Sequence, residues 1–527
     1  MKKNRLMALL VSILLLSGLF AGALAQDEKI VNIGVTDALG TLSPLLQDGG
    51  ELNKYATGLL FLPLVELGAD MEFHGMLAQS ITTEDNMTFT VTLNPDATWS
   101  DGTPISAKDV LFTVLRLTNM ETGSSGIFGY ASLVGFDENG FSPAGATELE
   151  GVKVIDDHTL HFISKEPMAL STFQNAYARY LFTMPEHVLK DIPAKDLTTH
   201  EFFTNPTVVS GPYTLVSVDR DHYIQYKAND QYFKGRPNID RLNFKIVEGS
   251  QLYAGLESGE IDITLPTTAI IPVEDYEMVE NIAHVTTLLE EPITNQLVFI
   301  HNDAVPDPKV RQAMLYAINR PLILEGLLGG KGDIIDGFLT SYSPYFDESL
   351  IPLAYDVEKA KALVQEAGWD STRVLELLIN AGDATFAKAA DVIVANLAQV
   401  GIQVQVKAVD FHSLMTAAGT SNYDMYAVHY TIAPVDFYID IDWLAGTGNN
   451  SKYTNAKVDE LLVQTQRTDD RQELTAIYRQ IDDIMQEEAP LLSIYVTRVP
   501  GAKNNRLINV EPRAYGAFIE VEKWDVE

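Results

Sequence analysis

Between Val208 and Ile263 the spacing of apolar residues changes from two to nearly four and back within sixty positions. Tyr213 to Val218 and Tyr223 to Lys227 are β-rich runs split by the charged turn Asp219 to Asp221, which predicts a hairpin. Leu242 to Val247 alternates apolar and polar residues, as a half-buried strand does. Gln251 to Glu257 reads as a short helix, closed by Gly259 where a left-handed residue is cheap, with a strand at Ile261 to Ile263. A strand-rich unit this small needs further elements to cover it.

The rest of the chain supplies them. Lys29 to Val35 alternates as a strand, Gly40 to Pro44 breaks it, and Asn53 to Val65 reads as helical. Met87, Phe89, Val91 and Leu93 occupy one face of a strand. Ser106 with Asp109 forms a reciprocal helix cap ahead of Val110, Leu111, Val114 and Leu117. Val152 to Ile155 and Thr159 to Ile163 predict a second hairpin, whose His158 and His161 point to opposite faces and are poorly placed to share a metal. Later, strands over Asn295 to Asn302, Ile402 to Ala408 and Leu491 to Val496 alternate with helices capped by Asp307, Asp356, Asp383 and Asp469. That rhythm is an α/β domain covered on both faces.

Three blocks carry a family likeness. "SGPYTLVSVDRDHYIQYKANDQYFKGRPNIDRLNFKIV" followed by "LYAGLESGEIDI", and "MTFTVTLNPDATWSDGTPISAKDVLFTVLRL", resemble the extracytoplasmic solute-binding proteins of the peptide, opine and nickel ABC-transporter family; "DPKVRQAMLYAINR" does so again. The resemblance implies an α/β, two-lobed periplasmic-binding-protein fold of type II, with an extra subdomain in the first lobe. The expected division is 26–66, 207–275 and 490–527 for the first lobe, 67–206 for the subdomain and 276–489 for the second lobe.

Residues 1 to 25 have the basic start, apolar middle and Ala23-Leu24-Ala25 end of an export signal. With no cysteine in the chain, the lipid tether used by many relatives has no attachment point, so a free periplasmic location is expected. About 500 remaining residues imply two or three domains. The formal charge is -35, and removing Lys2, Lys3 and Arg5 with the leader deepens it, which argues against a nucleic-acid partner.

Motifs for catalysis are missing: there is no Gly-x-Ser-x-Gly, no phosphate loop and no cysteine nucleophile, and His200-Glu201 lacks the second histidine of a zinc-protease helix. No cofactor or metal is expected. The resemblance instead implies a monomeric receptor that carries a small solute, by family habit a peptide, to a permease heterodimer in the inner membrane. A binding protein for a non-peptide solute (a sugar, opine or metal complex), a sensory receptor and a secreted enzyme are the rival readings.

Six residues are candidate ligand contacts. Thr41 lies in a Thr-Leu-Ser-Pro turn that relatives place beside the cleft. Phe128 and Tyr130 lie in the glycine-rich stretch 123–145, and Asn295 heads a strand. Tyr430 and Asp436 lie in "YDMYAVHYTIAPVDFYIDIDWL", where aromatic rings alternate with carboxylates suited to an ammonium group. Relatives carry W-x-x-D-Y-x-x-P there, with an aspartate that holds a peptide's amino terminus. Here Tyr430 falls at the tryptophan, Ala433 at the aspartate, and the nearest carboxylate is Asp436; either Asp436 takes the role after a loop change, or the ligand lacks a free ammonium group.

Overall fold

The computed structural model describes residues 28–47, 50–125, 130–290, 294–381, 383–431 and 434–527. The expected leader and Phe128 lie outside them.

Two large sheets define two lobes. The first has seven strands, in the order Val285–Leu289, Pro500–Asn504, Ile263–Thr264, Ile30–Val35, Arg241–Ile246, Tyr223–Ala228 and Tyr213–Asp219. Ile30–Val35 runs parallel to both of its neighbours, and Val31, Ile33 and Val35 are fully buried, as a central strand requires. The predicted hairpin forms with Asp219 opposite Tyr223. The helix Gly249–Ser258 links two parallel strands. It starts at a reciprocal Glu248–Gln251 cap and ends at Gly259 with φ 74°, the left-handed value that a side chain would make costly.

Residues 67–206 hold an antiparallel sheet ordered Ala78–Thr83, Thr88–Leu93, Thr159–Ile163 and Val152–Asp156. Phe89, Val91 and Leu93 are fully buried on one face, as the alternation predicts. The Ser106 N–H donates to Asp109 Oδ2 at 2.9 Å and starts the helix Ala107–Leu117. One continuous apolar core runs from Val31 through Trp99 and Phe162 to Trp524, so this subdomain is fused to the first lobe and has no separate interior.

The second sheet is ordered Gly332–Asp333, Leu491–Thr497, Thr294–Ile300, Met425–Thr431, Val374–Asn380 and Gln403–Val409. Its strand Thr294–Ile300 sends Val298 and Ile300 into one apolar cluster, with the helices Pro308–Ala317 and Ala384–Gln399. Leu297 and Phe299 enter another, with the long helix Arg471–Glu488. This is the two-faced α/β layer expected from the alternation.

Two boundaries differ from expectation. The sequence predicts lobe changes near 275 and 490, but Val285–Leu289 pairs with Pro500–Asn504 in the first sheet, and Leu491–Thr497 pairs with Thr294–Ile300 in the second. The lobe changes therefore fall between Leu289 and Thr294 and between Thr497 and Pro500. The helix expected over Asn53 to Val65 is Glu51–Gly58, and Val65–Leu67 is a strand paired with Phe73–Gly75. Gly58 weakens the helix at that point and Pro63 prevents its renewal.

Candidate ligand site between the two lobes

The lobes meet where the helical segment 170–178 of the first faces residues 434–445 of the second. That segment starts as an α-helix, Leu170–Phe173, and widens into a π-turn, Gln174–Ala178; such turns occur often at functional positions. It aims Thr172 and Asn175 across the boundary at Asp436. The Thr172 hydroxyl donates to Asp436 Oδ1 at 3.0 Å and the Asn175 amide to Oδ2 at 3.5 Å, while the Tyr438 N–H reaches Oδ1 at 3.4 Å.

Asp436 is 3% exposed. Among the described residues no lysine, arginine or histidine pairs with it, so three neutral donors replace the water it loses. Burial pushes its pKa above the usual carboxylate range, and the bonds from Thr172, Tyr438 and Asn175 pull back only part of the way. A positive group arriving here would gain a carboxylate that is already dehydrated and oriented.

Behind Asn175 lies a charged cluster. Arg179 Nε donates to Glu66 Oε1 at 2.8 Å, and Lys54 Nζ approaches the same oxygen at 3.4 Å. Arg179 Nη2 has no hydrogen-bond partner among the described residues, and the guanidinium lies over the rings of Tyr180 and Tyr515. A second interlobe patch joins Leu67, Ala514 and Tyr515 of the first lobe to Val435 and Tyr342 of the second.

The aromatic stretch forms the adjoining wall. The Tyr430 hydroxyl donates to Asp440 Oδ1 at 2.7 Å, and its ring stacks on Trp443 at 5.4 Å and 13°. Burial and the Asp440 charge both raise the Tyr430 pKa, so the phenol stays protonated, and Tyr180 of the first lobe lies close enough to add to that shift. Trp443 is 40% exposed, an open ring face beside Asp440.

The six candidates thus separate. Tyr430 and Asp436 each lie at the lobe boundary, Tyr430 near Tyr180 and Asp436 against Thr172 and Asn175. Asn295, opposite Tyr430 in the sheet, is 1% exposed; its Oδ1 accepts from the Ser493 hydroxyl at 2.7 Å and its Nδ2 has no partner among the described residues. Thr41 serves its own turn, its hydroxyl accepting from the Ser43 N–H at 2.9 Å. Tyr130 belongs to the first-lobe core, packed against Phe136 and Tyr177. Thr172, Asn175 and Arg179 were not anticipated, because nothing local marks a threonine on an apolar helix as the partner of a carboxylate 264 positions away. Among the described residues no group of three or more histidine, aspartate or glutamate side chains is placed to hold a metal.

Comparison with known proteins gives the same architecture. The family described as bacterial extracellular solute-binding proteins, family 5 Middle, matches residues 72–452. The chain is 24% identical to the oligopeptide-binding protein AppA of Bacillus subtilis over 99% of both sequences. It is 26% identical to the dipeptide-binding protein of Escherichia coli K12 over 86% of each. AppA from Bacillus subtilis, solved in complex with a nonapeptide, superposes with a TM-score of 0.78 at 21% identity, covering 95% of this chain and 99% of that one. NikZ from Campylobacter jejuni, solved with Ni(L-His), superposes at 0.76 and 20% identity, covering 94% and 99%.

Proposed function

The chain belongs to the bacterial extracellular solute-binding proteins of family 5, non-enzymatic receptors that deliver a solute to an ABC permease, and from that premise we propose that its solute is a peptide or a comparable small molecule with a cationic amino group, captured in the periplasm. The observation that carries this reading is Asp436, buried at the lobe boundary and gripped by Thr172 and Asn175, with no cationic partner among the described residues. The oligopeptide- and dipeptide-binding relatives support the peptide class.

In this reading the open form presents Asp436 to water and the closed form dehydrates it. A ligand ammonium beside the carboxylate lowers the free energy of the closed form more than that of the open one. That difference in affinity is what drives closure; a solute bound equally by both forms would shift nothing. Tyr430, Trp443 and Tyr180 offer aromatic area to the solute's apolar parts. The joined lobe surfaces are then what the permease meets.

Native mass spectrometry of protein purified gently from its own periplasm tests the proposal. Retained peptides of mixed sequence are the expected result. Retention of only a sugar, an opine or a metal complex would overturn the peptide class.

A further inference from the structure

Three neighbouring strands of the second sheet place Tyr495, Gln296 and His429 in one row. Gln296 lies directly opposite His429 on one side and Tyr495 on the other, and directly opposed residues of antiparallel strands share a face. The row sits at the head of Thr294–Ile300, beside the crossing between the lobes. Asp383 reaches it from the start of the helix Ala384–Gln399. One Asp383 oxygen accepts the Phe386 N–H at 2.8 Å, and the other lies 3.6 Å from His429 Nε2.

The groups in this row are not satisfied. Gln296 and Tyr495 are both 0% exposed. Neither amide atom of Gln296 has a hydrogen-bond partner among the described residues, nor does the Tyr495 hydroxyl. Because both amide atoms are unpartnered, exchanging their oxygen and nitrogen assignments changes nothing. Native interiors leave few such atoms, and two adjacent side chains with three between them require an explanation. The row also has an opening, since the His429 side chain is 37% exposed. Burial lowers the imidazole pKa, so the ring brings no positive charge at neutral pH.

We propose that Gln296 and Tyr495 form a subsite for a neutral amide of the solute, whose N–H donates to Gln296 Oε1 and whose carbonyl accepts from Gln296 Nε2, with the Tyr495 hydroxyl as the third partner. This rests on the solute-binding reading and specifies which part of the solute meets this face. Two sources supply that donor–acceptor pair: a primary carboxamide, or the N–H and C=O of one residue in an extended peptide, which point to the same side. A carboxylate is the wrong shape electronically. It only accepts, so it would face Gln296 Oε1 and the Asp383 charge, with a neutral imidazole beside it. Sites built from buried donors and acceptors discriminate strongly against partners that leave them unpaired.

The test uses the mature protein and two pools of synthetic tetrapeptides of matched sequence, one with C-terminal carboxamides and one with free acids, with retention read by mass spectrometry. Gln296→Leu is expected to lower retention about 10- to 100-fold, with the melting temperature unchanged or higher because unpaired polar atoms have been removed. Gln296→Glu is expected to lose as much, and Tyr495→Phe to lose a few-fold. Preference of the parent for the carboxamide pool identifies a terminal carboxamide; equal retention of both pools, lost together in Gln296→Leu, identifies a main-chain amide. Retention by both Gln296 variants at the parent level overturns the proposal. So does a parent that retains neither pool, and native mass spectrometry of the endogenous solute then decides the receptor reading on its own.

Discussion

Two fully buried aspartates in the second lobe have opposite surroundings. Asp336 lies beside Arg320, both side chains almost without exposure and 2.5 Å apart. Its other oxygen accepts the Leu353 N–H and the Gln486 amide. Arg320 spends its remaining donors on the carbonyls of Ile335, Ser493 and Leu353. Asp436 is as deeply buried and, among the described residues, has only neutral donors, two of them from the opposite lobe. A buried charge with all its partners inside one lobe is architecture, whereas one held, among the described residues, by neutral donors from both lobes can accept a cation brought to the boundary.

The largest test removes the cation from the satisfied site. Arg320→Met leaves Asp336 buried and unpaired and is expected to cost about 3–5 kcal/mol of stability, measured by urea unfolding. Peptide affinity of the folded fraction should not change. Adding Asp336→Leu should recover most of the loss, because a well-packed apolar pair replaces a buried ion pair at little cost.

Asp436→Ala should behave in reverse. Calorimetry with a peptide bearing a free amino terminus is expected to show about 2–5 kcal/mol weaker binding, with stability unchanged or raised. Unchanged affinity would remove Asp436 from the site and the contrast with Asp336 would lose its meaning.

A third aspartate sharpens the comparison through pH. Asp482 is buried, accepts the Phe338 N–H at 3.0 Å, and burial pushes its pKa up to about 7. Between the usual carboxylate value and pH 7 the native state holds a proton that the unfolded chain releases. Its contribution to stability is therefore complete in acid and lost as the pH rises through that window. Asp482→Asn keeps the acceptor and removes the titration. The variant should match the parent near pH 4 and exceed it by on the order of 4 kcal/mol at pH 8, read from melting temperatures across that range.

How much of this could be read from the chain follows the reach of each interaction. The hairpin at Asp219–Asp221, the cap at Ser106 and Asp109 and the stop at Gly259 are settled within four or five residues, so they are legible. The lobe changes are not, because Val285–Leu289 joins the first sheet only through a strand more than two hundred residues later. Tyr130 shows the ambiguity of aromatics: a ring in a glycine-rich loop reads as a ligand contact, and the same ring anchors that loop to the core. Asp436 was legible as a carboxylate among aromatics, while its partners Thr172 and Asn175 were not. Gln296 stands as a polar residue at the head of the run Leu297 to Ile300, a visible oddity whose meaning depends on the unpaired neighbours supplied by two other strands.

The smallest effect bears most directly on the grip across the boundary. Thr172→Val keeps the side-chain shape and deletes the hydroxyl that reaches Asp436 Oδ1, at an expected cost of about 1 kcal/mol in ligand affinity. Taken alone, so small a change could arise from many sources, so it belongs in a cycle with Asp436→Ala. If Thr172 acts by holding the carboxylate in the closed form, the second substitution makes the first nearly silent, and the coupling energy is about 0.5–1 kcal/mol. Small-angle scattering of the ligand-saturated variants separates the two ways of losing affinity, since a failure to close enlarges the molecule while a lost ligand contact within a closed molecule does not. Additive effects of the two substitutions would mean that the hydroxyl bond is incidental. Asp436 would then be held across the boundary by the Asn175 amide and within its own lobe by the Tyr438 N–H, and closure would have to draw more on the aromatic wall at Tyr430 and Trp443.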